Sequence, residues 1–321
     1  MQISYLPYHQ IDKQKWDSCV AQSKNRLIYA KSIYLDNMAD HWDGLVLNDY
    51  EAVMPLTWRK KMGTRYLYQP AFFQQGGIFS ATNITVEIVD AFLMEAKKHF
   101  SFAEFTLNYG NPAPTVVSFE KRNNYLLQLH QSDNIQTENE YLKQRIKRSE
   151  KFNLRYTISD DIEAAVALYQ QLYQHRIDGF NNDDYHRFVM LCKILQQENK
   201  ILISTVFDEK TLLASALFIL DDDRLYNLAS CLLPEGKSKL ANHFLIHHLI
   251  KTFENTNTIL DLEGSDIASI AYFYQKLSTG EQPYLFIHWN HLPIPIQMAR
   301  RLFSNFQKTL AFLNSKLMKR I

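Results

Sequence analysis

One order of elements occurs twice in this chain, and that constrains its fold more than any single motif. In the first half, Trp42-Asp43-Gly44-Leu45-Val46-Leu47 and Ala52-Val53-Met54-Pro55-Leu56-Thr57-Trp58 flank a polar break at Asn48-Asp49. They read as two strands joined by turn residues. The second half repeats the device with Ile201 to Phe207, the turn Asp208-Glu209-Lys210, and Leu212 to Leu220. A third strand follows each hairpin, Arg65-Tyr66-Leu67-Tyr68-Gln69 and then Arg224 to Ser230, and each leads to a glycine-bearing loop, at Gly76-Gly77 and at Gly236. Next comes apolar spacing that predicts a helix: Val86, Val89, Phe92, Leu93 and Ala96, then Phe244, Leu245, Leu249 and Ile250. Each helix runs into a further strand, Phe102 to Gly110 and Thr258 to Gly264. The recurrence is the mark of a duplicated α/β (α+β) unit.

With 321 residues, two domains of ordinary size are expected, residues 1–137 and 138–321. The polar stretch Gln131 to Asn139 has no apolar period and reads as the connector. A closing helix is expected through Met298, Leu302, Phe303, Phe306, Leu310, Leu313 and Leu317. Lysine and arginine (35) almost balance aspartate and glutamate (34), so only local clusters argue for a charged partner. Cys19, Cys192 and Cys231 form no CxxC pair and read as buried, reduced thiols. The opening Met1 to Pro7 lacks the pattern of a secretory signal, and the longest apolar runs are strand-sized. A cytoplasmic protein without a transmembrane segment is expected.

In the last third, a strand enters Asp261-Leu262-Glu263-Gly264-Ser265, and a helix ends Tyr272-Phe273-Tyr274-Gln275-Lys276-Leu277 before Gly280. This resembles the GNAT segment that follows the acyl-donor loop. Two such units in tandem resemble the Fem-type aminoacyltransferases and other tandem-GNAT N-acyltransferases. The resemblance implies two GNAT-like domains, acceptor side first and donor side second. It also implies transfer of an acyl or aminoacyl group, from acyl-CoA or aminoacyl-tRNA, to an amine. A peptidoglycan precursor is the acceptor it suggests, and no permanently bound cofactor is needed.

The GNAT donor site implied by the resemblance falls at the third strand and its loop, on Ser230, Gly236, Lys237, Lys239 and Ala241. Backbone amides and a helix N-terminus form an anion site there. The loop departs from the family pattern, with Gly236 at the arginine position and Lys239 at a glycine position. That departure disfavours acetyl-CoA and suits an aminoacyl-tRNA donor. Lys143, Lys147 and Lys151 align on one helical face beside Arg148. Through Lys147 this ridge either meets phosphate or tRNA, or is a solvated face.

Tyr274 sits where many GNAT enzymes place the acid that protonates the leaving thiolate; the other reading is an aromatic packing on the sheet. Glu263 ends a strand, where a carboxylate can take the amine proton; the other reading is a helix cap. Asp261, two residues earlier, shares its strand face and reads as structural. Tyr66, Tyr68, Gln69, Gln74 and Gln75 are the first-half candidates for acceptor contacts, with strand packing as the alternative. His243 and His247 are spaced for a shared metal, but no glutamate follows His243, and no metal is expected. The tail from Arg300 to Ile321 carries six basic residues and no acid. It either meets an anionic membrane peripherally or packs Phe303, Phe306 and Phe312 on its own domain. The competing account of the whole chain is a non-catalytic GNAT-like protein that binds a ligand or RNA.

Overall fold

The computed structural model describes residues 2–61, 63–129, 140–175, 179–264 and 268–293. The expected connector from Gln131 to Asn139, the closing helix from Met298 and the basic tail lie outside these residues. The first half comprises β1 (Ile3–Leu6), α1 (Lys13–Gln22), α2 (Ser32–Met38), β2 (His41–Leu47), β3 (Ala52–Lys61), β4 (Thr64–Leu67), β5 (Phe79–Ser80), α3 (Val86–His99) and β6 (Phe102–Leu107). Two short strands follow, β7 (Phe119–Arg122) and β8 (Tyr125–Gln128). Beyond them come α4 (Glu140–Ser149), β9 (Leu154–Ser159), α5 (Ile162–Tyr173), α6 (Asn182–Gln197), β10 (Ile201–Asp208), β11 (Thr211–Asp221) and β12 (Arg224–Leu232). The chain continues through α7 (Pro234–Ser238), α8 (Ala241–Phe253), β13 (Ile259–Asp261), α9 (Ala268–Leu277), β14 (Gly280–Glu281) and β15 (Tyr284–Asn290).

Local chemistry sets several boundaries. Asp12 caps α1 by accepting from the N–H groups of Gln14 and Lys15, at 3.0 and 3.1 Å. Asn181 and Asp184 form a reciprocal capping box at the start of α6. The segment from Gly236, expected as a loop, begins instead inside the one-turn helix α7. Pro234 opens that turn, where its fixed φ suits a helix and no N–H is missed.

The two sheets have the same plan. One runs β1-β2-β3-β4-β6-β15-β7, with β5 on the side of β3; the other runs β9-β10-β11-β12-β13-β8-β14. In each, the fourth and fifth strands are parallel, β4 with β6 and β12 with β13, and the rest are antiparallel. The repeated order read from the sequence is therefore a repeated topology.

The sixth strand of each sheet comes from the other half. β15 pairs with β6, Leu285 opposite Leu107, while β8 pairs with β13, Leu127 opposite Leu260. Only Asn123 and Asn124 separate β7 from β8, and only Gln282 and Pro283 separate β14 from β15. Strand membership thus crosses the expected 137/138 division in both directions.

Three cores result. Val89, Phe92, Leu93 and Ala96 of α3 pack on the first sheet with Ile287 and Trp289 of β15. Helices α4 and α8 pack on the second sheet through Leu142, Ile146, Leu245 and Leu249. The third core joins the halves: Trp16, Tyr29, Tyr34 and Phe72 from the first meet Phe188, Leu217 and Tyr226 from the second. Within it Phe72 stacks on Phe188 at 3.9 Å and 8°, an aromatic pair worth about 1 kcal/mol beyond its buried area. Among the described residues no helix is long and apolar enough to cross a membrane.

Candidate active site

β12 is nine residues long, but its parallel partner β13 has only three. Pairing ends at Tyr226 opposite Asp261, so the strands part from Asn227 onward. On the other side of β12, the register slips: Leu217 faces Ala229 while Phe218 faces Asn227, leaving Leu228 as a bulge. The bulge twists the strand just where the gap opens. A pocket there is lined by Asn227, Ser230, Asn242, Leu262, Phe273 and Tyr274, among others.

Asn227 is 8 % exposed. Its Nδ2 donates to the Tyr274 hydroxyl at 3.5 Å, and its buried Oδ1 has no partner among the described residues. Burial holds the Tyr274 phenol well above its ordinary pKa, with Tyr173 and the Glu263 carboxyl adding to the effect and Asn227 opposing it. A phenol in that state stays protonated at neutral pH and is available as a proton donor.

Glu263 follows the end of β13 in the left-handed region, at φ 63°, and Gly264 continues there at φ 57°. A Cβ on residue 264 would meet the Asn123 carbonyl oxygen at 2.5 Å, so glycine is required at that turn. The Glu263 carboxyl accepts a hydrogen bond from the Tyr29 hydroxyl of the first half. Burial and the neighbouring Asp261 raise its pKa well above the usual carboxylate range, while Tyr29 and Arg224 pull it back.

Strand alternation, which would put Asp261 and Glu263 on one face, stops at Asp261 because the backbone turns left-handed. Asp261 is a tied residue. It receives Arg224 Nη1 at 2.8 Å, Asn124 Nδ2 at 2.8 Å and the Glu263 N–H at 3.0 Å.

The expected donor-loop residues spread over α7 and the start of α8. Gly236 is buried against β11, where a Cβ would lie 2.3 Å from the Leu213 carbonyl oxygen. Lys239 is held by Asp208 and by Glu235, the latter at 2.7 Å. Lys237 is exposed, Ala241 is buried as the first residue of α8, and Ser230 is half-buried on the pocket wall. Lys147 is exposed on α4, whose opposite face buries Leu142 and Ile146.

The first half has the equivalent gap between β4 and β6, where the parallel pairing is Leu67 opposite Ala103. Here a pocket is lined by Leu67, Gln69, Phe105 and Thr106, among others, and the Gln69 amide is fully paired. Gln69 Oε1 accepts from the N–H and hydroxyl of Thr106 at 3.1 and 3.2 Å. Its Nε2 donates to the carbonyls of Phe73 and Gln74, the second at 2.9 Å. Gln75 is fully buried and accepts from the Tyr109 N–H at 3.0 Å. Tyr68 is buried, its hydroxyl accepting from the Asp40 N–H at 2.8 Å, and the Tyr66 ring meets Phe102 edge-on. Gln74 alone of the five stands at the end of β13, its Nε2 3.3 Å from where a residue-264 Cβ would lie. Elsewhere in this half, Tyr8, Asp36, Trp42 and Trp58 line a cavity of about 250 Å³.

Sequence reasoning passed over Tyr29 and Asn227. Asn227 did carry a signal, a lone amide in the apolar run Leu225 to Ala229. Tyr29 carried none: it reads as one more core residue among Leu27, Ile28 and Ala30. His243 and His247 are buried, and both imidazoles are pushed down to about 4 by desolvation. Among the described residues no group of His, Cys, Asp or Glu is arranged to hold a metal ion.

Residues 138–258 match the family model described as the acetyltransferase (GNAT) domain. No curated protein sequence matches the chain. Among solved structures, FemX superimposes with a TM-score of 0.63 at 13 % identity, over 93 % of this chain and 99 % of its own. L-PGS from Bacillus licheniformis gives a TM-score of 0.52 at 12 % identity, over 93 % of this chain and 97 % of its own. A tandem GNAT protein from the clavulanic acid biosynthesis pathway gives 0.52 at 9 % identity, over 91 % of this chain and 99 % of its own. With two sheets of one plan and a GNAT domain matched in the second half, the chain has a tandem GNAT fold, the fold it shares with FemX and the clavulanic acid pathway protein.

Proposed function

We propose that the protein is an N-acyltransferase whose donor binds in the gap between β12 and β13. The observation that carries this reading is the contrast between the two gaps. In the second-half gap Asn227 and Tyr274 line the pocket and the buried Asn227 Oδ1 has no partner among the described residues, whereas in the first-half gap the Gln69 amide is paired with Thr106, Phe73 and Gln74. The acceptor amine attacks the activated carboxyl carbon, the new C–N bond forms, and the bond to the leaving thiolate or ribose oxygen breaks. Glu263 takes the amine proton and Tyr274 protonates the leaving group. Positioning supplies most of the acceleration, and no covalent enzyme intermediate is involved.

The donor is an acyl-CoA or an aminoacyl-tRNA. Lys239 is committed to Asp208 and Glu235 rather than open to a pyrophosphate, which favours the aminoacyl-tRNA, with Lys147 and the exposed α4 ridge along its backbone. The acceptor approaches from the first half past Gln74, and the Fem-type likeness makes an amine-bearing peptidoglycan precursor the first candidate.

The same commitment of Lys239 supports a second reading, a GNAT-like protein that binds a ligand or RNA without turnover. Competition between acetyl-CoA and bulk aminoacyl-tRNA for the purified protein separates these accounts. Saturable binding of charged tRNA, lost with Asn227→Leu and unaffected by uncharged tRNA, is the expected result. Saturable acetyl-CoA binding indifferent to tRNA would make the donor a CoA thioester. Binding of neither, or equal binding of charged and uncharged tRNA, would leave the non-catalytic reading standing.

A further inference from the structure

The segment from Arg26 to Lys31 belongs to the first half, yet its contacts reach across to the second. Arg26 meets Asp222 and Asp223 at 3.4 and 3.2 Å. The Ile28 N–H donates to the Tyr226 hydroxyl at 3.1 Å, and Lys31 reaches Asp221 at 2.5 Å. In the middle of this strap, Tyr29 is fully buried. Its ring is fixed by Tyr34, Phe73 and Tyr226, with centroids 5.2 to 5.5 Å away. Two aromatic contacts come from its own half and one from the other. Among the described residues its hydroxyl has one destination, Oε1 of Glu263.

A carboxylate on a left-handed residue at a strand end has few restraints of its own. Asp261 and Arg224, on the neighbouring strands, are occupied with each other. Tyr34 directs its hydroxyl to the Phe72 carbonyl, and the Tyr274 hydroxyl receives Asn227. Of the polar groups that face Glu263, only Tyr29 holds its carboxyl by a side-chain hydrogen bond among the described residues.

We propose that Tyr29 is a positioning residue for Glu263. The first half lends it across the interface, so that Oε1 is held and Oε2 is presented to the acceptor amine. This rests on the acyltransferase reading, and it makes the site a joint construction of both halves. A hydroxyl that donates to the anion stabilises it, so Tyr29 also offsets part of the desolvation that disfavours the Glu263 carboxylate.

The test uses the full chain labelled with ¹³C at the glutamate carboxyls, the Glu263 resonance being identified by its absence in Glu263→Gln. Tyr29→Phe keeps the ring and removes only the hydroxyl. The expected result is a Glu263 titration midpoint about one pH unit higher than in the parent. 3-Fluorotyrosine at position 29, a more acidic donor, moves the midpoint the other way. It covers the case in which Tyr29→Phe fails to fold. Transfer from acetyl-CoA or aminoacyl-tRNA, where detected, keeps its acid limb in step with the midpoint, and Tyr29→Phe adds nothing in the Glu263→Gln background. Midpoints that stay together in both substitutions overturn the proposal, as does a rate loss equal at every pH. A shifted midpoint with no transfer from either donor overturns the acyltransferase reading while the coupling of Tyr29 to Glu263 stands.

Discussion

Arg224 Nη1 donates to Asp261 Oδ2 at 2.8 Å, both side chains buried, tying the first residue of β12 that pairs with β13 to the last residue of β13 before the strands part. The Gln282 side chain takes a second bond from the same nitrogen at 3.1 Å, so the pair also anchors the turn that leads into β15. Arg224→Ala leaves Asp261 charged and buried without its cation. The expected loss is about 3–5 kcal/mol of unfolding free energy, read from urea denaturation. A loss below about 1 kcal/mol would mean that the pair is no more than a surface contact.

Glu263 gives stability a pH dependence of defined sign. Its folded pKa is raised above its unfolded value, so the native state binds the proton more tightly. Stability therefore falls as pH rises from the unfolded value through the folded one. Glu263→Gln cannot ionise, and it is expected to be less destabilised than the parent on going from pH 5 to pH 8. Parallel curves for the two proteins would contradict the raised pKa.

His243 and His247 act in the opposite direction. Burial lowers both from 6.5 to about 4, so their contribution is complete above pH 6.5 and is lost as pH falls towards 4. The loss is roughly 2–3 kcal/mol for each imidazole. His243→Phe is expected to flatten the stability curve between pH 4 and 6.5. An unchanged slope would show that the imidazole protonates in place.

Cleavage of the chain into residues 1–137 and 138–321 tests the strand exchange. The first fragment keeps β8, which belongs to the second sheet, and lacks β15, which pairs with β6 in its own. Neither fragment is expected to give a dispersed amide NMR spectrum alone, whereas the two co-expressed reassemble into one particle on a sizing column. A folded, monomeric first fragment would sink this account.

The repeat was legible in the sequence because its strands are long, apolar and bounded by turn residues such as Asn48 and Glu209, which adopt positive φ. The helices through Val86 and Phe244 were legible from apolar residues at helical spacing. The strand exchange was not, because β7 and β8 are four residues each and pairing partners leave no mark on so short a strand. The site was legible in part. Glu263 and Tyr274 stand out by position, while the status of Gln69 depends on Thr106, 37 residues away. Tyr29 lies 234 residues from its partner, and no local pattern reports a contact of that range.

The lending of a sixth strand in both directions bears on how such a chain can change over generations. A duplicated gene usually leaves one copy free to decay and vanish. Here the first copy can tie up the polar groups of its own cleft, as Gln69 does, but its loss would pull β8 out of the survivor's interior and expose β13 as a raw edge. Idle or not, each copy has become a structural organ of the other, and the duplication cannot be undone by deletion.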